Sequence, residues 1–302
     1  MKFIVIFIIS IVIGGCSAEN NPSDLGDSSA IEVTDFIGNI ITLDKPAKRI
    51  IALAPHIAEN VFTAGAGDQL IGVVTYSDYP EQAKSLPIVG GYTKVNLEKI
   101  VELNPDLIFT WQSNNSDEIV AQIKQLGFSV YVDQPKTLED VAKSIRDIGL
   151  LSGHSKQADV AANGYLAKIN DIKREQKNAK PVTSFYQVWN SPLQTLNGDH
   201  IISAAIEICG GINIYAEETA VAPIINIESI LDKNPDAIIA SGMSDSRPEW
   251  LDEWLQWPSL KAVQNDNLFF VDPDHIQRHT VRILFGIDAI CSQLDLARER
   301  QT

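Results

Sequence analysis

The chain is short of basic residues, of cysteine and of long apolar runs, and each shortage removes a class of function. Lys plus Arg total 24 against 39 for Asp plus Glu, a formal charge of −15. Nucleic-acid binders carry a basic face, so that class is set aside, and an acidic surface suits a basic protein partner instead. The five histidines (56, 154, 200, 275 and 279) are scattered. His275 and His279 have the i, i+4 spacing of a helical metal pair but no third ligand, so no resident metal is expected. Catalytic signatures are missing as well. There is no Gly-x-Ser-x-Gly elbow, no His-Glu-x-x-His and no Gly-x4-Gly-Lys loop, and Gly65-Ala66-Gly67 is too short for a dinucleotide fingerprint. The expectation is a binding protein with no cofactor of its own, not an enzyme. An exported enzyme with two Rossmann-like lobes is the alternative of another class, and it would need a nucleophile–base or metal constellation.

The one sustained apolar run, Phe3 to Ile13 behind Lys2, is too short to span a bilayer but suits a signal peptide. It ends in Ile13-Gly14-Gly15-Cys16, which resembles a bacterial lipobox. Residues 1–15 then form a lipoprotein signal, Cys16 is the lipidation site, and the polar, acidic stretch 16–30 is a flexible tether. The expected product is exported, held to the periplasmic side of a bacterial membrane by lipid alone, and monomeric. Export permits disulfides, so Cys209 and Cys291, 82 positions apart, are either bridged or two buried thiols.

Two stretches repeat. Asn96 to Ile108 (NLEKIVELNPDLI) and Asn226 to Ile238 (NIESILDKNPDAI) match without a gap at an offset of 130 residues, each reading as a short helix, an Asn-Pro-Asp break and a strand. Between them, 137–180 is a helical connector. Leu138, Val141, Ile145 and Ile148, then Ala158, Ala162, Tyr165, Ile169 and Ile172, give the three-and-four spacing of a one-sided helix. Thr137 with Asp140 reads as its capping pair and Gly153 as a joint. The organisation expected is a first lobe over 31–136, a linking helix region over 137–180 and a second lobe over 181–302.

Within each lobe strands alternate with helices, which implies an α/β fold with two doubly wound, mostly parallel, Rossmann-like sheets. The first lobe reads as a hairpin (32–43), strands near 49–54, 70–75, 107–110 and 129–132, and helices from Pro55 and Asp117. The second reads as strands near 182–188, 237–240 and 268–271, a helix from Ile201 to Cys209 closed by Gly210-Gly211, and a terminal helix carrying Ile283, Ile287, Ile290 and Leu294. Trp250, Trp254 and Trp257 read as the packed face of a helix. His56, at a helix start, reads as a capping or lining residue. Tyr76, Trp111, Trp189 and the Asp274–Arg278 segment follow strand ends, where open α/β sheets place ligands. Rings from two facing lobes suit a large, flat, partly apolar ligand.

Arg49 to Pro55 with Glu59, then Tyr76-Ser77-Asp78-Tyr79-Pro80, Asn96-Leu97-Glu98 and Asn104-Pro105-Asp106-Leu107, resemble the substrate-binding proteins of ABC importers for cobalamin, siderophores and haem, nearest their cobalamin-binding branch. The resemblance covers nearly all of 48–295. It implies two α/β lobes joined by one long, rigid helix, with cobalamin carried between them as cargo and handed to an ABC permease and its ATPase. It implies that Tyr76, Trp111, Asp274 and Arg278 line the cleft. Cys209 and Cys291 match a disulfide pair. Glu98 and Glu228, one per lobe in the internal repeat, match carboxylates that dock on arginine pockets of the permease. The chain departs from the pattern where Tyr92 stands for a tryptophan, where a tryptophan near Ala222-Pro223 is missing with Trp189 as its substitute, and where His275 replaces an aromatic and could face a ligand's metal. These departures keep haem, a ferric siderophore or another corrinoid as alternative cargo.

Overall fold

The computed structural model describes residues 30–301 apart from 92–93, 114 and 243–245. The signal segment, Cys16, the tether before residue 30, and Tyr92 therefore lie outside the described residues.

An N-terminal hairpin leads in. β1 (Ile31–Thr34) pairs antiparallel with β2 (Ile40–Leu43). The Asp35 carboxylate closes the turn by accepting from the amides of Ile37 (3.0 Å) and Asn39 (2.8 Å). The first α/β unit follows: β3 (Ile50–Ala52), α1 (Pro55–Thr63), β4 (Leu70–Val73), α2 (Leu97–Leu103), β5 (Leu107–Trp111), α3 (Asp117–Gln125) and β6 (Ser129–Asp133). Its four strands are parallel in the order β4-β3-β5-β6.

Two helices then cross to the second unit. α4 (Leu138–Ser152) opens on a complete capping box, the Thr137 hydroxyl accepting from the Asp140 amide and the Asp140 carboxylate from the Thr137 amide. It ends at Gly153, whose φ of 81° is a left-handed value that favours glycine. α5 (Ser155–Glu175) turns back against it. A Cβ on Gly149 would stand 2.2 Å from the Cβ of Ala158, so glycine is what lets the two helices approach. Leu138, Val141, Ile145, Ile148, Ala158, Ala162, Tyr165 and Ile169 are all buried, as the spacing requires.

The second unit holds β7 (Val182–Gln187), a small hairpin of β8 (Trp189–Asn190) and β9 (Leu193–Gln194), α6 (Ile201–Ile208), β10 (Gly211–Asn213), α7 (Ile227–Lys233), β11 (Ala237–Ala240), α8 (Lys261–Gln264), β12 (Leu268–Phe270), α9 (Pro273–Ile276) and α10 (Ile283–Arg300). Its strands are parallel in the order β10-β7-β11-β12. Both sheets thus place their second strand first, then their first, third and fourth. A disulfide between Cys209 and Cys291 ties the end of α6 to α10.

The repeat is visible at the level of single hydrogen bonds. Asn96 caps α2 by accepting from the Lys99 amide (3.0 Å), and Asn226 caps α7 by accepting from the Ser229 amide (2.8 Å). Asn104 and Asn234 end the two helices at φ 42° and 43°, a left-handed conformation asparagine tolerates better than most residues. Proline forbids a further turn, and the following aspartate is stapled to the start of the neighbouring strand. Asp106 accepts from the amides of Lys48 and Arg49, and Asp236 from the amide and hydroxyl of Thr183.

One contiguous core runs from the inner faces of both sheets through α4 and α5 to α10, with a separate core on the far side of each sheet. The structure corrects three expectations. Gly211 starts a strand instead of closing a helix, because the second unit needs its own edge strand beside β7. The segment Glu249–Gln256 is a 3-10 helix, though its tryptophans do pack as expected: Trp254 is buried, Trp250 and Trp257 lie against the same cluster, and the rings of Trp254 and Trp257 are 5.3 Å apart. His56 caps nothing. Ala54 is the N-cap of α1, and the imidazole is buried against Asp133.

Candidate functional site

In a doubly wound sheet the crevice opens where successive connections leave in opposite directions, beyond the carboxyl ends of the strands. In the first unit this point lies between β3 and β5, and in the second between β7 and β11. The residues just past those ends are His56 and Trp111 on one side, Gln187 and Ser241 on the other. The second unit's pair is fixed by hydrogen bonds: Trp254 Nε1 donates to Gln187 Oε1 (2.7 Å), and Gln277 Nε2 donates to Ser241 Oγ (2.6 Å), which also pairs with the Tyr186 hydroxyl (2.7 Å).

The two sides meet in a cluster of rings. His56 lies edge-on to Trp111 at 5.0 Å, and His279 of the second unit stands 5.3 Å from His56 and 5.9 Å from Trp111. His200, at the N-cap of α6, is 6.0 Å from His279. His56 is held by Asp133 (3.2 Å), and Asp133 accepts from the Ser144 hydroxyl of α4 (2.5 Å). Burial pushes the His200 imidazole down to about 4, and burial followed by the neighbouring His56 and His200 holds His279 well below the usual histidine value. Both therefore sit neutral in the crevice floor. Among the described residues, Trp111 Nε1 and His279 Nδ1 are buried with no protein hydrogen-bond partner.

A belt of charge surrounds the cluster. Arg278 binds Asp78 (2.9 Å) from the first unit and Asp274 (2.9 Å) from its own. Its Nη1 also donates to Glu59 on α1 at 2.8 Å. Burial alone would weaken its proton, but the carboxylates of Asp78, Glu59 and Asp274 outweigh that and hold the guanidinium above its ordinary value. Arg282 lies over the Tyr79 ring at 4.2 Å. Between Asp78 and the end of β4 stands Tyr76, 76% exposed and at φ 65°. A bulky residue in left-handed backbone is strained by roughly 1–2 kcal/mol, and such strain collects where a ligand is met.

The structure therefore brings the Tyr76–Tyr79 loop, Trp111, Asp274 and Arg278 to one crevice. Trp189 stands on the β8–β9 hairpin that leaves the end of β7, 37% exposed, its Nε1 donating to the Ser191 carbonyl (2.9 Å). His275 packs on Phe285 at 5.3 Å, and α9 ends at Ile276, so His275 and His279 are not neighbours on one helix. Glu98 and Glu228 are exposed in the first turns of α2 and α7. Two surface hollows of about 420 and 460 Å³ lie elsewhere, beside the α4–α5 turn at Gly153 and His154 and around Phe62 and Leu86. Neither draws on strand ends of both units, so the crevice is the better site. Sequence reasoning gave His200 and Arg282 no site role, named Glu59 only within the stretch that carries the resemblance, and weighed His279 only as half of a metal pair. Their signal was thin: a glutamate in the middle of a short helix, and two arginines four apart before an apolar helix.

The comparisons agree with this geometry. The family model described as periplasmic binding protein matches residues 50–275. This chain belongs to the periplasmic binding protein family. It is 36% identical over 256 residues to the vitamin B12-binding protein of Vibrio cholerae serotype O1, covering 84% of this chain and 92% of that one. It is 32% identical over 252 residues to the vitamin B12-binding protein of Pectobacterium atrosepticum, covering 82% and 88%. The crystal structure of the periplasmic vitamin B12 binding protein of Vibrio cholerae superposes with a TM-score of 0.78 at 35% identity, covering 84% of this chain and 99% of that one. A periplasmic haem-binding protein from Roseiflexus shares the fold alone, with a TM-score of 0.72 at 21% identity over 83% of this chain and 99% of that one. Two α/β lobes are thus the architecture of this periplasmic binding protein, joined by the pair α4 and α5 instead of the one long helix expected, because the left-handed Gly153 breaks the connector.

Proposed function

We propose that the chain captures cobalamin between lobes 31–136 and 181–302 and hands it to an ABC permease and its ATPase. The observation that carries this reading is the convergence of Tyr76, Trp111, Asp274 and Arg278 at paired strand ends, in a chain 36% identical to a vitamin B12-binding protein. A corrinoid is broad and largely apolar with an amide fringe. Rings supply contact area at little entropy cost, and the unpartnered Trp111 and His279 nitrogens supply polar contacts that fix orientation. Tyr92, Trp189 and His275 are the further residues assigned to ligand contact in this reading. The chemistry is binding and release, with no bond made.

Glu98 and Glu228 dock the loaded protein. Their matching places in the repeat give each lobe one exposed carboxylate at the start of a helix, which suits a permease built from two like subunits presenting one basic pocket each. The signal over 1–15 and lipidation at Cys16 hold the binding protein to the membrane by its tether, and the linking region 137–180 keeps lobe movement small. Absorption spectra of the chain purified from its native host test the cargo. A corrinoid spectrum is expected, and a haem Soret band alone would assign the site to haem.

A further inference from the structure

Glu59 has no part in the reading above, yet it is almost wholly enclosed and held by three hydrogen bonds. It lies in α1 of the first lobe, 2% exposed. A carboxylate so enclosed is tolerated only if charged and hydrogen-bonding partners replace the water it has lost. All of those partners come from the second lobe. Oε1 accepts from Arg278 Nη1 (2.8 Å) and Arg282 Nη1 (3.2 Å), and Oε2 accepts from the Thr280 hydroxyl (3.1 Å). The next residue, Asn60, donates through Nδ2 to the His279 carbonyl (3.0 Å). One turn of α1 thus grips the segment 278–282 across more than 200 positions of sequence.

The other acids near Arg278 cannot replace Glu59. The side chains of Asp78 and Asp274 are 44% and 45% exposed, so water screens them, and they touch Arg278 alone, whereas Glu59 bridges both arginines. Without it two largely buried guanidiniums would share one place with only Arg278 compensated, by Asp78 and Asp274.

We propose that Glu59 is a positioning residue for ligand capture, pinning the second lobe's 278–282 segment to α1 so that Arg278 is held in one place before the ligand arrives. This rests on Arg278 lining the cleft as proposed above. A site set in advance spares the ligand the ordering of a long, flexible side chain and of the lobe carrying it.

The test compares the full chain with its Glu59→Gln variant, which keeps the shape but turns an acceptor toward donors into an amide. In the absence of ligand, hydrogen–deuterium exchange of the amides of residues 280–283 is expected to be about tenfold faster in the variant. Affinity for cyanocobalamin is expected to fall about tenfold or more, and the same change in an Arg278→Ala background should add less than about twofold, because Glu59 acts through Arg278. Unchanged exchange, or a loss of affinity undiminished in that background, would overturn the proposal. Should Glu59→Gln fail to fold, Thr280→Val removes one donor to the same carboxylate and also the acceptor of the Arg282 amide, so only the amides of 280, 281 and 283 are read; faster exchange there supports the pin and unchanged exchange refutes it. If the parent chain binds no cobalamin the functional reading fails, while the ligand-free exchange comparison still decides the role of Glu59.

Discussion

Acidification should loosen this protein through His200. His200 caps α6, its Nδ1 accepting from the Ile202 amide at 3.2 Å, and burial lowers its pKa from 6.5 to about 4. The folded chain therefore keeps His200 neutral where the unfolded chain already takes up a proton. Below pH 6.5 the unfolded state binds more protons, so stability falls with pH until the folded group itself titrates near 4. At about 1.4 kcal/mol per unit, the full effect is roughly 3 kcal/mol, of which about 2 kcal/mol falls between pH 7 and pH 5. His279, pushed the same way, adds to it. His200→Asn keeps an oxygen able to accept from the Ile202 amide and removes the titration. Glu59 and Asp147, whose carboxyls burial pushes up, oppose the trend in both chains alike and cancel in the comparison. Urea unfolding at pH 7 and pH 5 should show the parent losing about 2 kcal/mol more than the variant. Equal losses would mean that His200 is not enclosed against protons and that the crevice floor is wetter than described.

Replacing Glu98 or Glu228 by Lys should leave cobalamin titration unchanged and reduce uptake in cells, with the double replacement abolishing it; uptake that survives the double change would remove both from docking. Cys209→Ala with Cys291→Ala opens a loop of 82 residues and should cost about 2–4 kcal/mol in chemical denaturation. Tyr76→Gly relieves a positive φ at an exposed side chain, so the fold should be no less stable by thermal unfolding while cobalamin affinity falls. A variant with reduced melting temperature and undiminished affinity would reverse both roles given to Tyr76.

Much of the fold was legible because its signals are local. The capping box at Thr137, the Gly153 joint and the paired Asn-Pro-Asp breaks each encode their own hydrogen bonds within a few residues. The burial of one face of α4 and α5 follows from spacing alone. What could not be read is set by tertiary partners. The short strand at Gly211 exists because β7 needs a second neighbour beside β11, and the brief β8–β9 hairpin forms where the chain leaves the carboxyl end of β7 at the crevice. The site divides the same way. Tyr76 and Trp111 stood out as aromatics after strands, but Glu59 has no mark that says its partners lie more than 200 residues away. His56 read as a cap or a lining residue because it starts a helix, and only its contacts with Asp133, Trp111 and His279 decide for lining.

Isothermal titration of the full chain with cyanocobalamin, with haemin as competitor, bears most directly on the central claim. One corrinoid per chain at sub-micromolar dissociation constant, displaced neither by haemin nor by a ferric siderophore, is the expected result. No binding at micromolar cobalamin, together with stoichiometric binding of haemin, would contradict it.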